Sequence, residues 1–305
     1  MTPQAKGVSS ALGAFLLWGL LPIYWKTLQH VPAIEILAHR VVWSAVFLAM
    51  VITLRKEWSG IHRSWSIPRV RWQSVTAALL LAVNWGTYIW GVNANRIVET
   101  SLGYYINPLV TVLLGVIVMR ERLRRLQWLA VGVAGIGVGF ITYRHGSVPW
   151  VALILAFTFA FYGLVKKTSA SNPLPALTME TLCLGLPTML LIGAWTVNGS
   201  GALFHAPATT QGLLVLSGLV TTMPLLLFGF AAKSVSLSTL GILQYLSPTC
   251  GLLLGVFLYG EPFGTDQGIG FVLIWFALSI YSIDGWRNRA RGVRGSVVSR
   301  GTNAS

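Results

Sequence analysis

"YYINPLVTVLLGVIVMRE", residues 104–121, and "QYLSPTCGLLLGVFLYGE", residues 244–261, decide the fold of this chain. At an offset of 140 they share Tyr105/Tyr245, Pro108/Pro248, Leu113/Leu253, Leu114/Leu254, Gly115/Gly255, Val116/Val256 and Glu121/Glu261. Just upstream, "TSLG" at 100–103 answers "STLG" at 238–241 at an offset of 138, so the second copy carries a two-residue insertion. Self-similarity at a fixed distance marks a duplicated unit. What that unit does depends on the solvent around it.

Composition settles the solvent. Of the 305 residues, 54% are hydrophobic and only 10% charged, with a mean hydropathy of +0.69. Soluble domains carry about 25% charged residues, so the chain reads as an integral membrane protein. A net charge of +14 could suggest nucleic acid. That partner is excluded, because the basic residues fall in short gaps between apolar runs rather than on one domain face. Cys183 and Cys250 both lie in apolar runs and suggest neither a disulfide framework nor a metal cluster.

A helix needs about 20 apolar residues to cross the hydrocarbon. Ten spans are expected: 8–28, 33–54, 72–92, 97–119, 125–143, 147–166, 176–197, 208–232, 237–259 and 264–285. The first is too long for a signal peptide and no convincing cleavage site follows it. Alternating segments of a β-barrel are absent. The repeated stretches are then the fourth and ninth spans, and each repeat has five helices. An odd number inverts the second copy relative to the first, so residues 1–143 and 144–286 form a five-plus-five inverted repeat, followed by a basic tail, 287–305, expected to be disordered and to anchor at anionic headgroups. Lys and Arg agree. With the N-terminus inside, 18 of the 22 fall on the cytoplasmic side and three, Lys26, Arg96 and Arg144, on the other; Arg40 lies within a span. That alternation supports both the count and the orientation.

Several motifs, "LLWGLLPIYWK", "EILAHRVVWS", "NWGTYIWGVN", "SLGYYINPLVTVLLGVIVMRERL" and "STLGILQYLSP…YGE", together resemble the RarD group of EamA-type permeases in the drug/metabolite transporter superfamily. The resemblance covers roughly residues 6–285. It implies ten helices in a five-plus-five inverted repeat, cytoplasmic termini and a bacterial inner membrane. It implies little about cargo, since members of the superfamily move amino acids, amines, nucleotide sugars or phosphorylated sugars.

Polar residues inside the spans are the candidate site. Glu35 and His39 share a helix face at i, i+4, and Arg40 lies about 140° round the helix from Glu35. One reading is a structural clamp at the outer end of the second span. The other places Arg40 or His39 in a cavity, meeting an anionic or polar solute. Glu180, on the seventh span, is the approximate counterpart of Glu35 near the opposite face. Either acid is a candidate for proton coupling, and pairing of Glu180 with Lys166 or Lys167 is the alternative. Asn84, Trp85 and Tyr88 on the third span, with Asn93 near its outer end, Trp18 on the first, Tyr104, Tyr105 and Asn107 on the fourth, and Gln244 and Tyr245 on the ninth, would make an aromatic, weakly polar cavity suited to an amphiphilic or zwitterionic solute. Pro108 and Pro248 occupy matching repeat positions, as paired hinges or as static kinks.

Other signals are discounted. "GVAGIGVGF" at 132–140 follows no strand and reads as helix packing rather than dinucleotide binding. No G-x-x-x-x-G-K-[ST] occurs, so the chain does not itself hydrolyse ATP. No enzyme triad, cofactor or metal site is expected. The functional expectation is a secondary transporter of a small organic solute by alternating access. A non-transporting scaffold or sensor and a channel are the competing classes, and a homodimer is left open.

Overall fold

A computed structural model describes residues 2–94, 97–145, 149–260 and 264–301, with side chains for all of these except 92, 93, 97–99, 144, 145, 204, 266, 267, 286 and 288–301. Glu261, Arg96 and the side chains of Asn93 and Arg144 therefore lie outside the described residues.

The described chain is helical, in the order α1 (Pro3–Thr27), α2 (Ala33–Leu54), α3 (Trp58–Ser66), α4 (Pro68–Asn93), α5 (Ile97–Ile117), α6 (Arg125–His145), α7 (Trp150–Thr168), α8 (Pro173–Val197), α9 (Ala202–His205), α10 (Ala208–Ser234), α11 (Leu237–Gln244), α12 (Leu246–Leu253) with a π-helical turn at Leu254–Leu258, and α13 (Thr265–Gly301). The ninth span is thus α11, α12 and the π turn in series. Among the described residues nine segments are long and apolar enough to cross a membrane. The tenth, α4, has the length at 26 residues but not the hydropathy. Its apolarity is diluted by "NWGTY" at 84–88, the segment expected to face a cavity. The chain is an all-α, ten-helix integral membrane protein. Large apolar side chains such as Leu20, Ile136, Met189, Leu190, Phe257 and Val272 remain exposed on its flanks, as a lipid-facing surface requires.

The packing obeys the repeat. Exchanging each span with the one five places away carries α1 on α10 into α7 on α4, α10 on α2 into α4 on α8, and α5 on α7 into α11/α12 on α1. The contacts α2 on α8, α5 on α11 and α6 on α13 map onto themselves and lie across the two-fold axis. Helix ends repeat as well. The non-glycine residues with positive φ, Lys56 (54°) and Arg120 (55°), match Gly199 (66°) and Gly260 (64°) at offsets of 143 and 140. After α2, Glu57 N–H bonds the Ile52 carbonyl and Lys56 N–H that of Thr53; after α8, Ser200 bonds Trp195 and Gly199 bonds Thr196. These are the same left-handed C-terminal caps. Met119 to Leu114 and Tyr259 to Leu254 form a second matched pair of backbone bonds. Five spans per repeat make the two copies inverted.

Close approach between the two repeats needs glycine in a few places. A Cβ on Gly241 would stand 2.7 Å from the Pro108 carbonyl oxygen, and one on Gly218 would stand 2.4 Å from the Trp43 backbone. In "GVAGIGVGF" only Gly137 works this way, against Gly270 and Leu273 of α13; beside Gly132, Gly135 and Gly139 there is open space.

Three features depart from the sequence reading. The segment 55–71 contains a short helix, α3, whose Ile61 is buried while Trp58 donates to Thr53 Oγ1 at 2.8 Å. The matched prolines are not equivalent: α5 runs through Pro108, whereas the ninth span breaks at Tyr245, three residues before Pro248. A proline lacks the N–H for the i−4 carbonyl and its ring crowds that group, here Gln244. Finally, α13 continues as helix to Gly301, where composition suggests disorder. Extending a formed helix costs far less than nucleating one, and Arg and Ala are good helix formers.

Candidate functional site

A cavity of about 930 Å³ opens between the repeats. Its wall takes residues from α1, α2, α4, α5, α6, α7, α10, α11, α12, the π turn and α13, and its rim at the end away from the basic loops includes Trp25, Lys26, Ala33 and Tyr259. Towards the basic end it stops on a mutually packed aromatic group. Phe15, Trp18, Phe159, Phe228 and Tyr162 have successive ring centroids 5.3–6.2 Å apart.

Arg40 commands the wall. It lies about 10 Å down α2 at 1.5 Å per residue. Its Nε donates to Thr221 Oγ1 on α10 at 2.9 Å. Its guanidinium carbon stands 4.6 Å from the Trp25 ring and 5.0 Å from the Trp85 ring. Each such contact is worth about 0.5–2 kcal/mol, more when dry. No carboxylate among the described residues pairs with it. Lys26 at the rim places Nζ 3.3 Å above the Tyr259 ring. Tyr88 and Tyr104 stand edge to face at 6.3 Å, and Tyr105 packs on Phe271 at 5.1 Å. Gln244, at the break of the ninth span, is on the wall with its Oε1 unpartnered.

Of the residues singled out by sequence, Arg40, Asn84, Trp85, Tyr88, Tyr105 and Gln244 therefore share one cavity, as do Pro108 and Pro248. Asn84 is largely committed to structure: its Nδ2 donates to the Leu155 carbonyl and to Thr158 Oγ1, both at 2.9 Å, tying α4 to α7. His39 and Tyr245 are not on the wall. His39 is buried on another face of α2, 3.7 Å from Glu35, with both ring nitrogens unpartnered; adjacent helix residues diverge by about 100°, so only Arg40 faces the cavity. Tyr245 is enclosed in the apolar cluster between α5, α6, α11 and α13.

Glu35 and Glu180 also lie off the wall. Glu35 Oε1 accepts the Ala202 N–H at 2.5 Å and so holds the α8–α10 connection. Glu180 pairs with Lys166 at 2.8 Å and accepts from Tyr162 at 3.2 Å, all three fully buried. Around this pair the basic ends of the helices are laced together. Lys167 reaches the Ala232 and Val235 carbonyls at 3.2 and 2.5 Å, Lys233 the Ser171 carbonyl, and Arg124 bonds Asp284. Glu121 accepts from Leu237 N–H (2.7 Å), Ser238 N–H (2.9 Å) and Ser238 Oγ (2.6 Å), capping α11 from the end of α5. Sequence reasoning passed over Trp25, Lys26 and Thr221. Lys26 had a signal: it is one of three bases against the charge rule.

Comparison with known proteins agrees with this architecture. The model of the EamA-like transporter family matches twice, over residues 5–143 and 147–283. The chain belongs to the EamA-like transporter family. Within it, the protein is 45% identical to an "Uncharacterized transporter" of Vibrio cholerae over 93% of this chain and 96% of that one. It is 42% identical to Protein RarD of Escherichia coli, over 92% and 94%, and 30% identical to "Chloramphenicol-sensitive protein RarD" of Pseudomonas aeruginosa, over 94% and 97%. A protein of known crystal structure shares the fold with a TM-score of 0.68 at 17% identity, covering 91% of this chain and 97% of the other.

Proposed function

We propose that this EamA-family protein is a secondary carrier that exposes a small organic solute alternately to the two sides of a bacterial inner membrane. The carrying observation is the one-sided cavity: about 930 Å³ between the repeats, holding Arg40 between two indoles and ending on packed aromatics towards the basic end. A two-fold related pair of repeats can form such a cavity at either end by exchanging their conformations. The two repeats, 1–143 and 144–286, are the moving halves. The basic end faces the cytoplasm, following the distribution of Lys and Arg, so both termini lie there and the tail from 287 rests at anionic headgroups. In this state the cavity faces outwards and the Glu121 cap and the Lys167 bonds close the inner side. Arg40, Trp85, Tyr88, Tyr105 and Gln244 contact the solute. The break before Pro248 is the hinge, because only there is the helix interrupted. Glu35 and Glu180 act as fasteners rather than proton carriers, since each is already engaged.

The test is counterflow in proteoliposomes, using solutes first selected by thermal stabilisation of the purified protein. Accumulation of labelled solute against unlabelled solute, lost in Arg40→Ala, is expected. Stabilisation by a solute that never exchanges would replace the carrier with a binding scaffold.

A further inference from the structure

The charge on the cavity wall is one-signed. Its described lining residues include Arg40 and Lys26 but no Asp or Glu. A guanidinium held in a low-dielectric wall without a counter-ion is an incomplete site, because a buried charge needs a partner. The partner has a defined place. The Nε bond to Thr221 fixes the roll of the guanidinium plane, and the rings of Trp25 and Trp85 flank it. The terminal nitrogens make no hydrogen bond with the described residues and remain as a planar fork of donors. That fork matches a carboxylate bidentately, which an ammonium cannot do. Around it the wall is aromatic, with Trp18, Trp85, Tyr88 and Tyr104 offering flat faces for an apolar body.

We infer that the cavity selects organic carboxylate anions with a flat apolar body, the carboxylate clamped by Arg40 and the body held among the aromatic side chains. This rests on the carrier reading of the cavity and sharpens it: a zwitterion of the kind the composition of the wall suggests would place its ammonium beside cations with no acid to receive it. Lys26 at the rim draws anions towards the mouth. Its part is in the encounter, and fades as salt screens it.

The experiment uses the purified full chain and four probes of one shape: hydrocinnamate, its neutral amide, phenethylamine and phenylalanine, titrated calorimetrically at low and high salt. Hydrocinnamate should bind, with the amide, the amine and the zwitterion each about tenfold weaker or worse, a difference that corresponds to about 1.4 kcal/mol. Arg40→Lys, which keeps the charge and loses the fork, should weaken hydrocinnamate about tenfold, and Arg40→Gln should abolish its binding while the thermal transition persists. Lys26→Gln should leave the high-salt affinity within about threefold and flatten the salt dependence of the association rate. Absence of hydrocinnamate binding, equal or tighter binding of phenethylamine, or unchanged binding in Arg40→Gln would each overturn the inference. Counterflow separates the two claims. Selective anion binding without exchange removes the carrier and leaves the selectivity, while exchange of amines alone removes the selectivity and leaves the carrier.

Discussion

The two ends of this helical bundle are built from the same repeat and are not alike. At the basic end, spans are joined by buried or capped charges: Lys166 with Glu180, Lys167 with two carbonyls of the α10 terminus, Glu121 with the start of α11. At the other end, the corresponding level holds the cavity, and its prominent cation has aromatic neighbours and a hydroxyl in place of an acid. A duplicated fold supplies the same backbone to both ends, down to the left-handed residues after α2 and α8 and before Glu121. The difference therefore resides in side chains and in state. At the basic end the charges meet partners and fasten the helices together, whereas at the other end Arg40 stands in the cavity wall with no carboxylate among the described residues beside it.

The largest effect should come from breaking the wall. Lys166→Ala leaves Glu180 as a buried, unpaired charge and should destabilise the protein by about 3–5 kcal/mol. A thermal unfolding transition lowered by many degrees, and substantially recovered in Lys166→Met with Glu180→Leu, is the expected pattern. A wild-type transition in the single variant would mean that the pair fastens nothing.

Next in size is the seam between the repeats. Gly241→Val must displace the Pro108 carbonyl or the Val112 side chain from α5, costing about 1–3 kcal/mol by overpacking. Gly132→Val meets open space and should stay within about 0.5 kcal/mol. Parallel melts of the two variants make the contrast direct, and equal losses would place the repeat axis elsewhere.

The smallest effect separates scaffold from site within the cavity itself. Asn84→Ala removes the bonds to Leu155 and Thr158 and should cost about 1 kcal/mol of stability, with hydrocinnamate affinity changed less than about threefold. A strong loss of affinity with unchanged stability would return Asn84 to the binding machinery.

Much of this was legible in the sequence, for physical reasons that also mark where legibility stops. Length and apolarity fix spans, because lipid requires about 20 residues per crossing, and the offset of 140 fixes the duplication. Arg40 stood out because a base inside a span needs a reason. Side-chain direction was harder. His39 and Arg40 are neighbours in sequence, yet one is buried against the helix bundle and the other faces the cavity. Asn84 sits on the wall as expected, but periodicity could not show that its amide is spent on α7. Nor could matched prolines reveal that the helix breaks only before the second of them. Thr221 gives no signal because it acts only through Arg40, far away in the chain, and Lys26 shows only as a base against the charge rule, its place over Tyr259 being set by the fold.

Accessibility of the cavity from the two sides tests the account most directly. In a variant with Cys183 and Cys250 replaced by Ser and Gln244 by Cys, a membrane-impermeant maleimide should label right-side-out vesicles readily. Adding Glu121→Ala, which releases the α11 cap, should raise labelling in inverted vesicles and lower it in right-side-out ones. Labelling that rises from one side without falling from the other would describe a channel, and labelling from neither side would remove the cavity from the solute path.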